Sequence, residues 1–174
     1  MKKLYVDFLK RWIEKYKDCS PLSYEYYIMY LQIFNLLREF KHKFKECIII
    51  GDGKDLSLTR YISLTHLPMK ILSIDSRLGI NLDLGKNVTL MPCNFMQCDI
   101  PKRKKYVIFN IHSHCPIDEI IDRLMLVSPD CKYTIYHKQC CGYHKLGTSD
   151  FKSYYISGLL SETDYKHLYV FTNK

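Results

Sequence analysis

Apolar side chains recur at steps of three and four between Leu4 and Lys17, at Tyr5, Phe8, Leu9, Trp12, Ile13 and Tyr16. That spacing predicts an amphipathic helix. Ser20-Pro21 interrupts it, because proline cannot continue a helix and restricts the residue before it. A second helix is predicted over Ser23–Phe40, with Tyr26, Tyr27, Tyr30, Phe34 and Leu37 on one stripe. It runs into a basic stretch, Lys41-His42-Lys43-Phe44-Lys45.

The period then changes. Glu46-Cys47-Ile48-Ile49-Ile50-Gly51 is a short continuous apolar run, the mark of a strand buried on both faces. Met69–Asp75, Asn87–Met91, Lys105–Asn110, Cys131–His137 and His167–Thr172 repeat the theme. Helical patterns lie between them at Leu56–Leu64, Ile117–Val127 and Asp150–Leu160. Strands alternating with helices at this spacing imply right-handed crossovers and a mostly parallel sheet. The expected architecture is therefore α/β and Rossmann-like, with about six strands and two N-terminal helices. No repeat, linker or low-complexity segment divides the chain. One domain over 1–174 is expected, with a helical part at 1–45 and a sheet part at 46–174.

Composition narrows the class. With 47% hydrophobic and 25% charged residues in 174, the chain is globular rather than disordered. No apolar run approaches the roughly 20 residues that span a bilayer, and Asp7 follows the start too closely for a secretory leader. The reading is a soluble, cytoplasmic protein with no membrane partner. Its eight cysteines are then expected to stay reduced, as buried small hydrophobes or metal ligands. A formal charge of +8 favours polyanionic partners. The abundance of Tyr, Lys, Ile and Asn suits an AT-rich coding genome such as that of many large viruses.

In an open parallel sheet, ligands bind beyond the carboxyl ends of the strands near the switch in strand order. Three features fall there. Gly51-Asp52-Gly53-Lys54-Asp55 follows the first strand, where glycines let the backbone bend sharply and approach a ligand. A structural turn is the competing reading, since the third glycine of a complete dinucleotide fingerprint is missing. Asp75 ends the second strand, where an acid about 20 residues past a glycine loop accepts hydrogen bonds from ribose hydroxyls. The plainer alternative is that Asp75 caps its turn or pairs with Arg77. Finally, His112, His114 and Cys115 follow the fourth strand, and His137, Cys140, Cys141 and His144 the fifth. Imidazole and thiolate are zinc ligands, but the spacing matches no standard ribbon or finger, and no metal is expected.

Ile50-Gly51, Thr59-Arg60-Tyr61-Ile62, Ile74-Asp75-Ser76-Arg77 and Asn87-Val88-Thr89-Leu90 carry a resemblance. Over roughly Glu46 to Asn110 the chain resembles the FtsJ-like viral cap 2′-O-methyltransferases, the family of the poxvirus poly(A) polymerase small subunit. The resemblance implies S-adenosylmethionine (SAM) as cofactor, with Gly51 and Gly53 at its methionine end, Asp75 on its ribose and Asp99, beside Cys98, near its adenine. The family's catalytic set is Lys-Asp-Lys-Glu, in which a lysine of lowered pKa helps deprotonate the ribose hydroxyl. Here Asn110 stands where the aspartate belongs. Lys138 lies beyond the strand that should carry the central lysine, Glu162 is placed for the glutamate, and Lys43 or Lys45 for the first lysine. The family's reversed closing strand is either trimmed here or paired differently. These departures imply a degenerate, methyltransferase-like viral protein without catalysis that binds RNA or a viral or host protein. The alternative is an active SAM-dependent RNA methyltransferase. Lys41–Lys45 and Lys102–Lys105 are the candidate phosphate contacts, and the Tyr-rich N-terminal helices a candidate homo-oligomer surface.

Overall fold

The computed structural model describes residues 45–53, 56–64, 69–78, 84–111, 113–137, 151–155 and 167–173. The expected helices at Leu4–Lys17 and Ser23–Phe40 lie outside them. Strand β1 (Glu46–Ile50) is central, with Cys47, Ile48, Ile49 and Ile50 all buried. β-Branched side chains on both faces make it a strand between two packed layers. Helix α1 (Ser57–Leu64) follows, and then β2 (Lys70–Ile74), β3 (Val88–Met91) and a 3-10 turn at Phe95–Gln97. Beyond that turn come β4 (Lys105–Asn110), helix α2 (Ile117–Val127), β5 (Lys132–His137), β6 (Phe151–Tyr155) and β7 (His167–Thr172).

The strands form one seven-stranded sheet in the order β3-β2-β1-β4-β5-β7-β6. The first five are parallel, with Ile50 paired to Ile74 on one side and to Asn110 on the other. β7 runs antiparallel between β5 and β6. Strand order reverses between β1 and β4, so the carboxyl ends of those two strands flank the switch point.

Two expectations are corrected here. Residues 151–155 were expected in a helix and form the edge strand β6. Phe151, Tyr154 and Tyr155 fit a helical stripe, but aromatic side chains also favour strands, and pairing with β7 decides between the two. The reversed strand, expected to be either trimmed or paired differently, is present as β7, over the residues expected to form the sixth strand. Its end is fastened by Asn173, whose Oδ1 accepts from the Tyr133 amide at 2.7 Å while Nδ2 donates to the Cys131 carbonyl at 2.9 Å.

The core on one side of the sheet joins Ile48, Ile50, Leu72, Ile74, Ile108 and Ile135 to Ile117, Ile120 and Leu124 of α2. The spacing of those α2 residues is the apolar stripe of an amphipathic helix, and Asp118, Glu119 and Asp122 face solvent. Alternation along β1 sends Cys47 and Ile49 to the opposite face, and α1 buries Leu58 and Ile62. Cys47 and Cys131 are buried thiols, as expected, but Cys93 and Cys98 are joined in a disulfide across the 3-10 turn. Their Cα atoms lie 6.1 Å apart, within bridging distance, a closeness the spacing of two residues five apart does not reveal.

Candidate functional site

Among the described residues, the loop after β1 departs from ordinary backbone at Gly51 (φ +74°), Gly53 (φ +72°) and Leu56 (φ +49°). These values lie in the left-handed region, natural to glycine and costly for leucine. Gly51 donates its amide to the Ile74 carbonyl at 2.9 Å, so the loop is bound to the end of β2. The two glycines are required for different reasons. A Cβ on Gly51 would fall 2.6 Å from the Ser113 Cβ and 2.8 Å from its backbone nitrogen, whereas one on Gly53 would meet only the Arg77 guanidinium, at 3.8 Å.

Asp52, between them, is buried and turned away from the loop. Its oxygens accept from the amides of Leu58 and Thr59, each at 2.8 Å, satisfying free donors at the start of α1. Burial pushes its carboxyl up to about 6, against those hydrogen bonds, with the charge of Asp75 adding to the rise. An unfolded aspartate titrates near 3.9. Asp52 therefore stabilises the fold fully below about pH 4, and this contribution is lost as pH rises through 6. Asp52→Asn removes the titration. Urea melts are expected to show the stability of the wild type relative to this variant falling by about 2–3 kcal/mol between pH 4 and 7. A constant difference would contradict the assignment.

Asp75 closes the other side of the loop. Its Oδ2 accepts from the Gly53 amide at 2.8 Å and from Arg77 Nη2 at 2.9 Å, and its Oδ1 from the Arg77 amide at 2.8 Å and Nε at 3.1 Å. Burial raises the carboxyl, but Arg77 and the Gly53 amide outweigh it and hold Asp75 below its ordinary value. The side chain of Asp75 is 4% exposed and that of Arg77 57%. The clamp is thus a buried acid under a solvent-facing guanidinium.

Asp75 and Arg77 belong to one wall of a cavity of about 440 Å³ at the carboxyl ends of β1, β2 and β3, whereas Gly53, expected at the cofactor, does not line it. Ile50, Gly51, Ile74, Asp75, Ser76 and Arg77 line that wall; Cys93, Asn94, Phe95 and Met96 form a second; Ser113, His114, Cys115, Pro116 and Glu119 form a third. The size falls within the range of small-molecule sites. The 3-10 turn that carries Phe95 is capped by Asn94, whose Oδ1 accepts from the Met96 amide at 3.0 Å. The third wall is shaped by Ser113, whose Oγ accepts from the Cys115 amide at 2.9 Å. Burial pushes the Cys115 thiol up to about 11, with the charge of Glu119 contributing. It is a neutral thiol near pH 7.

Asn110 is completely buried and does not line the cavity. It sits in register between Ile50 of β1 and His137 of β5. Its Nδ2 donates to the Cys115 carbonyl at 3.0 Å and lies 2.9 Å from His137 Nδ1, while Oδ1 has no hydrogen-bond partner among the described residues. With both amide hydrogens directed outward, Nδ1 of His137 is the acceptor, which assigns its proton to Nε2. Asn110 thus ties the loop over β4 to β5. Asn110→Asp would turn an acceptor toward the Cys115 carbonyl and bury a charge, so it is expected to lower stability by about 2 kcal/mol or more at pH 7. Chemical denaturation measures this, and a variant as stable as wild type would refute the strut.

Asp99 is exposed and outside the cavity lining, because the turn at Phe95–Gln97 places Phe95 and Met96 on the wall instead. Lys45 precedes β1 at its amino end, a strand's length from the cavity. Lys138, Glu162, Lys43, His112, Cys140, Cys141 and His144 lie outside the described residues. Among the described residues no group of three or more His, Cys, Asp or Glu is placed to hold a metal, and no helix is long and apolar enough to cross a membrane. Ser113, Asn94 and Glu119 were not anticipated. The rule that sites gather beyond the carboxyl ends of parallel strands points to the loops after β3 and β4 that carry them.

No protein-family model and no curated protein matches the chain. Among solved structures it is similar to a point mutant of MtNAS, at 13% identity and a TM-score of 0.51, over 99% of this chain and 70% of that one. The same mutant in complex with S-adenosylmethionine gives 13% identity and a TM-score of 0.50, over 99% and 72%. A precorrin-6y C5,15-methyltransferase from Geobacter metallireducens is more distant, at 14% identity and a TM-score of 0.41, over 76% and 82%. At these identities the likeness is one of fold. The α/β, Rossmann-like architecture with a mostly parallel sheet expected from the sequence is the one found, and the likeness singles out no FtsJ-like branch.

Proposed function

We propose that the cavity is a SAM-class cofactor site in a degenerate, methyltransferase-like protein that binds a macromolecule, RNA or a protein partner, rather than transferring a methyl group to it. The observation that carries this reading is the junction of the Gly51–Gly53 loop with Asp75, a buried acid beside a glycine turn at the switch point. The donor set suits a cationic nucleoside better than a phosphorylated one. Asp75 and Glu119 both line the cavity, with Arg77 engaged by Asp75. Two acids repel a pyrophosphate and favour a sulfonium or an ammonium. Asp75 takes the ribose hydroxyls, Phe95 and Met96 take the adenine, and Glu119 faces the cationic end. Bound SAM supplies an electrophilic methyl group; this chain's residues bind it, orient it and keep water from its apolar faces.

Loss of catalysis rests on Asn110. Where the resembling family places a charged aspartate, this chain places a neutral amide, wholly buried and committed to a loop carbonyl and a histidine. A neutral amide offers no basic atom to take the proton of a substrate hydroxyl.

Calorimetric titration of the protein with SAM and with S-adenosylhomocysteine tests the site. Micromolar binding of both is the expected result; binding of neither refutes the cofactor reading. Incubation with labelled SAM and capped or uncapped RNA tests the rest. Methyl incorporation would replace the degenerate reading with an active RNA methyltransferase.

A further inference from the structure

The end of the sheet opposite the cavity has its own chemistry. In the strand order β3-β2-β1-β4-β5, every parallel strand enters beside an exposed lysine. Lys86 precedes β3, Lys70 opens β2, Lys45 precedes β1, Lys104 and Lys105 lead β4, and Lys132 opens β5. Sequence separates these residues by up to 87 positions, and pairing brings them together. The Lys70 amide donates to the Lys45 carbonyl and that of Lys132 to the Lys104 carbonyl, each at 2.9 Å, while the Ile71 amide donates to the Asn87 carbonyl at 2.8 Å. With strands 4.7–4.9 Å apart, the five starts form a row about 19 Å long.

Among the described residues, the acids within two positions of these six lysines are Glu46 and Asp130. Glu46 is held by Arg103 at 2.6 and 3.0 Å, and that hydrogen bond chiefly keeps its carboxyl below the ordinary value. Asp130 stands in the turn before β5. The loop presenting Lys102 to Lys104 is itself anchored. Buried Tyr106 donates its hydroxyl to the Pro101 carbonyl at 2.9 Å and accepts from the Arg103 amide at 3.0 Å. A row of cations on fixed backbone is a built surface rather than a solvated run.

We propose that this lysine row binds the phosphate backbone of a single-stranded nucleic acid, without base readout, at the opposite end of the sheet from the cofactor cavity. The single-file layout fits a linear polyanion, and lysine ammonium groups meet phosphates as point charges. The proposal does not depend on the cavity's ligand, and its test omits cofactor. Met125 and Leu126, exposed near the end of α2, make an anionic vesicle the necessary control.

The test is fluorescence anisotropy of a labelled oligouridylate of about 20 nucleotides with the full chain. Neutralising about five phosphates of a single strand gives a log–log salt slope near −3.5, so affinity is expected to fall about 100-fold between 50 and 200 mM salt. Lys70→Gln, Lys104→Gln and Lys132→Gln combined should make the slope shallower by about 2, and the Glu triple should weaken binding at least tenfold further. Circular dichroism should be unchanged in both. Absent or salt-insensitive binding, a triple variant that binds like the wild type, or binding only to phosphatidylserine vesicles would each overturn the proposal.

Discussion

Gly51→Ala is expected to cost about 3 kcal/mol or more, the largest stability loss of any single methyl addition at the site. Two independent penalties combine. An alanine at φ +74° pays about 1–2 kcal/mol for the left-handed region. Its Cβ would also overlap Ser113 Cα at 2.7 Å, so backbone must move. Relief by displacing the 113–116 segment would also break the Asn110–Cys115 hydrogen bond and open the third wall of the cavity. Gly53→Ala separates the terms, having a similar φ but only the Arg77 side chain nearby, so a loss of about 1 kcal/mol is expected there. Urea denaturation of both measures the difference. Equal losses would show that the approach of Ser113 to Gly51 is not tight in solution.

Asp75 and Arg77 should respond in opposite senses. Asp75→Ala removes the acceptor for the Gly53 and Arg77 amides and the proposed ribose contact, so S-adenosylhomocysteine binding is expected to weaken at least 100-fold. Arg77→Ala instead frees the carboxylate. In the described clamp both Asp75 oxygens already accept from the guanidinium, so a ribose must displace Arg77 or share with it. Binding is expected to tighten severalfold in Arg77→Ala, because a ribose no longer has to displace a competing donor from the buried carboxylate. Calorimetry on the two variants reads both effects. If both weaken binding equally, Arg77 contacts the ligand and the carboxylate is not held in reserve.

Much of the architecture is legible in the chain itself. The apolar runs of β1, β2 and β4 are buried on both faces and so advertise themselves, and the glycine loop and Asp75 fall where an open sheet must place a site. What local pattern could not supply was anything decided by partners distant in sequence. Phe151–Tyr155 reads equally well as helix or strand until β7 pairs with it. Asn110 looked like a reactive position because it ends a strand at the switch point, yet its burial is set by Cys115 and His137, one of them 27 residues away. Asp99 is next to the correct wall, but the short turn at Phe95–Gln97 rotates the lining to Phe95 and Met96. Of the lysine row, the sequence shows Lys45, Lys104 and Lys105 only as parts of two separate basic runs, because they and Lys70, Lys86 and Lys132 are joined only across strands.

The insertion of β7 between β5 and β6 bears on how the protein is made. β5 gains its second neighbour only when His167–Thr172 emerges, thirty residues after His137. At about 5–20 residues per second, the open flank of β5 waits roughly two to six seconds during synthesis. That interval far exceeds the microseconds in which hairpins form, so the nascent sheet carries an unprotected hydrogen-bonding edge until β7 is made. Holdase chaperones and trapped translation intermediates should engage this protein at β5, and shortening the 138–150 connection should reduce that engagement.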